Sequence, residues 1–470
     1  MKKITLPYNA HQSFALVKKA AKVVCFCTGI LLSGTATAQE FPNTLNVFNE
    51  ILFYDGYAQT VTEPVPDGVI RHSNASYAKM ITAEQLANFG NQLTMNITIK
   101  AACDNYDRIG NANIALVPKN STSYIHNEVE RIEIGRYITP FMNKNVMPDE
   151  VSYSYQIDNV AQIFKDPALT ELYDFWIELE VFGVPYSANT QIAGCAGRSD
   201  VFFGSLEFVS DNASTSTFGE NFMMPLSFQY EMRDYTLEGT DVLGETVRTI
   251  NFTLEEDLPN AKFHLITSNH GAGTNGEEYI RRWHYVYLDG VEVSSYRPGG
   301  VSCVPFSQYN TQSNCIYTNC ANGVPLPDTN SAWSWNNWCP GDKIPNRTID
   351  LGNLTAGDHS FKIDVPAAIF YGDDGHFPMS VYLQGYTETL STKSVSMANV
   401  SIFPNPVTNN LTIDAKGLEV KNVTITNLTG QTVLTGTSKN IDCSQLAAGV
   451  YLVHAVFSNN ETFVKKIIKY

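Results

Sequence analysis

Short runs in which apolar and polar residues alternate, each ended by a turn signal, recur along most of this 470-residue chain. Successive side chains of a strand point to opposite faces, so a period of two suits a half-buried sheet and not a helix. Ile97-Thr98-Ile99 and Ile114-Ala115-Leu116-Val117 read as such strands. The run from Tyr285-Val286-Tyr287-Leu288 through Asp289-Gly290 to Val291-Glu292-Val293 sets a hairpin signal between two alternating halves. Helical periodicity is rare, so an all-β chain with few helices is expected. A content of 43% hydrophobic and 17% charged residues fits packed structure rather than disorder, and the length suggests two or three domains.

Charge narrows the partners. The 47 acidic side chains outnumber the 31 basic ones, for a formal charge of −16. Five of the lysines lie in the first 38 residues, which hold no acid, so the remainder is more negative still. Such a surface repels phosphate backbones and anionic membranes, and nucleic acid is not an expected partner.

Residues 1–38 read as an export signal. Lys18, Lys19 and Lys22 supply the positive flank, 23–32 the apolar run, and Ala36-Thr37-Ala38 the small-residue cleavage site. The apolar run is much shorter than the roughly 20 residues that span a bilayer, which argues against a membrane anchor. No other segment reads as a span. The mature protein is therefore expected to be secreted or held at the cell surface. In that oxidising setting the cysteines that remain after Cys25 and Cys27 depart read as disulfide partners. Four of them (Cys303, Cys315, Cys320 and Cys339) fall within one stretch and imply two bridges there, with three connectivities open.

The body divides at the polar run 211–217 into blocks at 40–212 and 222–390, both strand-rich. Three carboxylates stand out in it. Asp107 follows a strand in Cys103-Asp104-Asn105-Tyr106-Asp107-Arg108. Glu180 shares one strand face with Glu178 in Trp176-Ile177-Glu178-Leu179-Glu180-Val181, the apolar residues taking the other face. Glu278 lies in Gly276-Glu277-Glu278-Tyr279, just after the glycine-rich Asn269-His270-Gly271-Ala272-Gly273. Taken singly, each reads as a solvated surface carboxylate. The Asp373-Asp374-Gly375 run reads as an exposed acidic turn rather than a calcium site.

Residues 395–470 show Phe403-Pro404-Asn405-Pro406, then Leu411-Thr412-Ile413, Val423-Thr424-Ile425, Asn427-Leu428-Thr429-Gly430-Gln431, and Ala447-Ala448-Gly449-Val450-Tyr451 before Lys465-Lys466. The spacing suits a small Ig-like β-sandwich. The segment resembles the C-terminal sorting domain of type IX secretion cargo in Bacteroidetes, which implies export through the periplasm and outer membrane and makes the type IX machinery a partner.

The body resembles the peptide-N-glycosidase F family. The first block carries Cys-Asp-x-Tyr-Asp-Arg at 103–108, Glu133-Ile134-Gly135-Arg136-Tyr137-Ile138-Thr139-Pro140 and the acidic strand at 177–182. The second carries the His-Gly turn, Gly276-Glu277-Glu278-Tyr279, Arg282, His284 and Trp338-Cys339-Pro340-Gly341. The resemblance implies two side-by-side antiparallel jelly-roll sandwiches of eight strands, and hydrolysis of the amide joining N-acetylglucosamine to asparagine in N-linked glycans, without cofactor or metal. It implies catalytic roles for Asp107, Glu278 and Glu180. Arg108, Tyr106, Phe182, Tyr279 and Arg282 are then the candidates for substrate binding, and a monomer is expected. Cys339 would pair with Cys303 or Cys320, leaving Cys315 with the other, and Cys103 with Cys195. The sequence departs from the family in three places. Trp335 stands where the family has the arginine that pairs with its catalytic aspartate, so Arg108 or Arg282 would have to substitute. Gly276 and Ile280 replace the small disulfide loop around the glutamate, and Cys103 lacks its usual upstream partner. Two other readings follow: a jelly-roll pair that binds glycans without cutting them, and a copper monooxygenase of related fold. The scattered histidines, with no His-x-His, disfavour the second.

Overall fold

A computed structural model describes residues 43–212, 218–271, 276–312, 320–321, 324–325, 337–370, 374–388, 400–415, 418–427, 431–458 and 462–470. The export signal, the run 213–217, Cys315, Trp335 and Asp373 lie outside the described residues, as does the Cys320 side chain. The chain forms the expected pair of antiparallel sandwiches and a small sandwich at the tail.

The first sandwich has strands β1 (Asn43–Tyr54), β2 (Val69–Ser73), β3 (Ser76–Met80), β4 (Leu93–Ala101), β5 (Ile109–Pro118), β6 (Glu130–Ile138), β7 (Glu150–Gln156), β8 (Tyr173–Val181) and β9 (Asp200–Ser210). One sheet runs β1-β9-β4-β7. On β4, Leu93, Met95, Ile97 and Ile99 are fully buried while the residues between them are half-exposed, the alternation of a sheet with one wet face. Burying a side chain of that size contributes about 1.5–3 kcal/mol.

The second sandwich has β10 (Phe218–Met232), β11 (Val247–Leu254), β12 (Leu258–Thr267), β13 (His284–Leu288) and β14 (Val291–Tyr296). The two-residue pair β15 (Cys320–Ala321) and β16 (Val324–Pro325) follows, then β17 (Lys343–Ile344), β18 (Arg347–Leu354), β19 (Gly357–Asp364) and β20 (Phe377–Glu388). Its sheets run β10-β20-β12-β18 and β11-β19-β13-β14 around Phe263, Phe361, Ile363, Phe377 and Leu383. The Asp289-Gly290 turn joins β13 to β14 with φ of 51° and 78°, the left-handed pair that a two-residue hairpin needs.

The other sheet of the first sandwich, β17-β6-β5-β8-β3-β2, takes in a strand from the second. Lys343 and Ile344 of β17 pair with Tyr137 and Arg136 at the edge of β6. This sheet is buried on both faces, and the outer one carries polar side chains. Arg136, fully buried, forms a bidentate pair with Glu133 at 2.6–2.7 Å and also donates to Ser268 Oγ (2.9 Å) and the Pro378 carbonyl (2.7 Å) of the second sandwich. Ser380 donates to Glu133 at 2.5 Å. The pleat thus sets a polar layer between two apolar cores.

Two disulfides are formed among the described residues. Cys103 joins Cys195 across 92 residues, and Cys303 joins Cys339 across 36. The tail packs a three-stranded sheet (Ser401–Phe403, Asn410–Asp414, Asn440–Asp442) against a four-stranded one, with Ile413, Val423, Ile425, Val453 and Phe457 inside. Its Cys443 is a buried free thiol. Among the described residues no helix is long and apolar enough to cross a membrane.

Candidate active site

Asp107 sits in the connection from β4 to β5, which is pinned on both sides of it. Asp104, buried, accepts from the Tyr106 amide (2.9 Å), the Val184 amide (2.7 Å) and Arg108 Nε (2.7 Å). Thr139 Oγ donates to the Tyr106 carbonyl at 3.1 Å and accepts from the Arg108 amide at 2.8 Å. Asn105 donates to Gln191 at 2.7 Å, and Cys103 is anchored by its disulfide. These contacts fix the backbone on both sides of Asp107.

Glu278 comes from the second sandwich, on the turn after Gly271. The Gly271 amide donates to its Oε2 at 3.0 Å, and the Tyr279 hydroxyl bonds to the same carboxylate. Gly271 is at φ 106°, and a Cβ there would lie 2.1 Å from Gly375 Cα, so only glycine fits. The buried Asn337 amide donates to the carbonyls of Glu277 (3.0 Å), Glu278 (2.5 Å) and Ile280 (3.1 Å), closing the turn from beneath. Trp338 beside it donates to the Asn269 carbonyl at 2.8 Å and packs with Ile138, Ile266 and Ile344, so both sandwiches support the turn.

Asp107 and Glu278 lie within electrostatic reach of each other. Burial, reinforced by the Glu278 charge, pushes the Asp107 carboxyl up to about 7, with Arg108 pulling the other way. Tyr279 is raised by burial and by the Glu278 and Asp107 charges. Tyr106 and Tyr279 flank the pair and are 45% and 37% exposed, open enough to offer ring faces.

Other expected residues lie elsewhere. Arg282 forms a bidentate pair with buried Glu277 at 2.6–2.9 Å, and Arg108 is paired with Asp104, so both candidate substitutes for the missing arginine serve other carboxylates. Phe182 packs edge-on against Tyr57, with ring centroids 5.1 Å apart. Glu180 pairs across the sheet with Asn111, four residues beyond Asp107, at most about 14 Å of extended chain. It belongs to a second group. Its Oε1 accepts from Ser76 Oγ (2.8 Å) and lies 3.2 Å from His126 Nε2, and its Oε2 accepts from Gln229 (3.4 Å) at a bulge of β10. Burial would raise Glu180, but the His126 hydrogen bond and charge hold it below the usual range. Glu178, which shares a strand face with Glu180, is fully buried and accepts from Tyr124 (2.7 Å) of the β5–β6 loop and from Asn113 (3.1 Å). The reading missed His126, Asp104 and Asn337. Asp104 and Asn337 had a signal, the first inside the 103–108 motif and the second directly before Trp338-Cys339-Pro340-Gly341.

Comparison with known proteins puts this arrangement in context. The family described as "Peptide-N-glycosidase F, N terminal" matches residues 44–196, and "Peptide-N-glycosidase F, C terminal" matches 240–384. The chain belongs to the peptide-N-glycosidase F family. A "Secretion system C-terminal sorting domain" matches 401–470, which marks the chain for type IX export to the cell surface or beyond. Among solved structures, PNGF-II in its P21 crystal form aligns at 18% identity and a TM-score of 0.53, over 73% of this chain and 65% of its own. Its C2 form gives 18% and 0.52, over 74% and 65%. A recombinant peptide:N-glycanase F (PNGase F) aligns at 17% identity and a TM-score of 0.46, over 74% and 96%. The chain thus spans 65% of the length of PNGF-II, and at this identity the likeness speaks for the shared fold. No curated protein matches the chain.

Proposed function

We propose that this protein is an exported glycoamidase that hydrolyses the amide between N-acetylglucosamine and asparagine on N-linked glycoproteins or glycopeptides. The observation that carries the reading is the meeting of Asp107 with Glu278, one from each sandwich, with Asp107 held near neutral pKa. Amide hydrolysis needs an activated water and a proton for the departing glycosylamine, and a carboxyl that titrates near 7 can supply both. Asp107 is the acid/base residue. Glu278, braced by the Gly271 amide, orients water or substrate. Glu180 contacts the first sugar further along the cleft, and Tyr106 and Tyr279 offer faces for sugar stacking. No metal takes part in these proton transfers. The protein acts as a monomer after removal of residues 1–38.

Release of glycan from a denatured N-glycosylated protein tests this. Wild type is expected to release it, and Asp107→Asn to lose at least about 100-fold of the rate. Equal release by both overturns the reading. One observation favours a second reading, binding without cleavage: Arg108 and Arg282 are both paired with carboxylates other than Asp107. Glycan binding by both proteins with no release would establish it.

A further inference from the structure

The proposed chemistry uses Glu278 and gives its neighbour Glu277 no role. Glu277 is 2% exposed, and a carboxylate is costly to bury unless it is paired. Its partner is Arg282, five residues on. Arg282 Nε donates to Oε2 at 2.9 Å and Nη2 to Oε1 at 2.6 Å, the planar fork that holds a carboxylate in one orientation. Oε1 also accepts from the Ile369 amide at 3.1 Å, in the connection from β19 to β20. Within the turn, the Tyr279 amide donates to the Gly276 carbonyl (2.8 Å) and the Ile280 amide to the Glu277 carbonyl (3.3 Å).

Arg282 is held in its turn. His284, which opens β13, is fully buried against the Tyr296 and Phe377 rings, with centroids 4.8 and 5.7 Å away. Burial lowers its imidazole to about 3, so the ring is neutral. Its Nδ1 lies 3.0 Å from the Arg282 carbonyl, which can only accept, so Nδ1 carries the proton and donates. The stretch 277–284 is thus tied to the second sandwich at both ends. Glu278 stands between the ties, half-exposed and within electrostatic reach of Asp107. A buried ion pair contributes little net stability over apolar residues of similar volume, so orientation is the better account of this one.

We propose that Glu277 and Arg282 are positioning residues, whose ion pair fixes the turn 276–282 so that the Glu278 carboxylate is held facing Asp107. Neither touches the reacting atoms. Loosening the fork lets the turn rotate and carries Glu278 away from Asp107, although both catalytic carboxylates remain in the chain. The inference rests on the glycoamidase reading for its effect on rate, and not for its geometry.

Arg282→Lys tests orientation alone, because it keeps every formal charge and gives up the second arm of the fork. The Asp107 carboxyl of the full chain is titrated by carbon-13 NMR, and glycan release is measured beside it. Arg282→Lys is expected to lower the Asp107 midpoint from about 7 by at least about 0.3 in pH, as the Glu278 charge moves off, and to slow release about tenfold. Glu277→Gln reaches the same loosening from the other side of the pair and should act alike. Arg108 and Asp104, the other charges that Asp107 feels, lie on its own connection and are unaltered. Glu278→Gln marks the largest shift that losing the charge can produce. A midpoint equal to that of wild type in folded Arg282→Lys and Glu277→Gln overturns the proposal, whatever their rates. If wild type releases no glycan, the amidase reading falls, while the titration still decides this one.

Discussion

Asp107 shows how one residue can trade stability for reactivity. Its carboxyl is raised to about 7 in the folded chain, against an ordinary value of 3.8. Below about pH 4 it is neutral in both folded and unfolded states and costs nothing. As pH rises through 7 the folded state must hold a charge that the unfolded chain solvates more easily, so the stability present at low pH is lost. Asp107→Asn, expected to be inactive in glycan release, should therefore unfold later than wild type at pH 8, by on the order of 1–3 kcal/mol, with the gap closing near pH 4. Melting curves at the two pH values check this, and an equal gap at both would refute it. Asn337 offers the complementary case. Losing an amide that serves three carbonyls should cost about 1–3 kcal/mol in Asn337→Ala and slow glycan release by roughly 10- to 100-fold through a displaced Glu278. Unchanged kinetics in a folded variant would remove Asn337 from the support of the site.

At the scale of elements, the connection from Cys303 to β17 links the two halves of the site. Asn310 and Thr311 accept from the Phe141 and Asn143 amides at 2.8 and 2.9 Å, and the Ile138 amide donates to the Asp342 carbonyl at 3.0 Å. The Cys303–Cys339 bridge closes this excursion. Replacing both cysteines by serine should lower stability by about 2–4 kcal/mol and reduce glycan release, because Asn337 and Trp338 lie beside Cys339. Denaturant unfolding of the variant measures the first effect.

How far the sequence foretold these elements depends on what each pattern can encode. The Asp289-Gly290 hairpin was legible because its turn residues and its alternation are local. The shared face of Glu178 and Glu180 was legible for the same reason. What covered that face was not. Polar alternation on β5, β6 and β8 reads as a solvent side, yet Glu133 and Arg136 are buried there against the other sandwich, and Asn113 and Glu178 are buried with Tyr124 of the β5–β6 loop. A period of two reports which residues share a side and says nothing about whether water or protein lies beyond it. The partners of Arg108 and Arg282 were hidden too, since Asp104 and Glu277 became their partners only once the loops had folded.

For the whole molecule, the polar layer between the sandwiches decides how they hold together. Arg136→Ala would leave Glu133 charged, buried and unpaired, which is expected to cost about 3–5 kcal/mol. Exchanging both together, Arg136→Met with Glu133→Leu, should recover most of that loss, because a buried ion pair contributes little beyond an apolar pair of similar volume. A double-mutant cycle by chemical denaturation separates the two outcomes, and equal damage from single and double variants would contradict this account.

The two residues Lys343 and Ile344 have a further consequence for anyone dissecting the protein. They seal the outermost rim of β6, so a truncated N-terminal half would present bare amides and carbonyls along that rim. Such a fragment should stick to its own copies, and co-producing the missing half should keep it in solution.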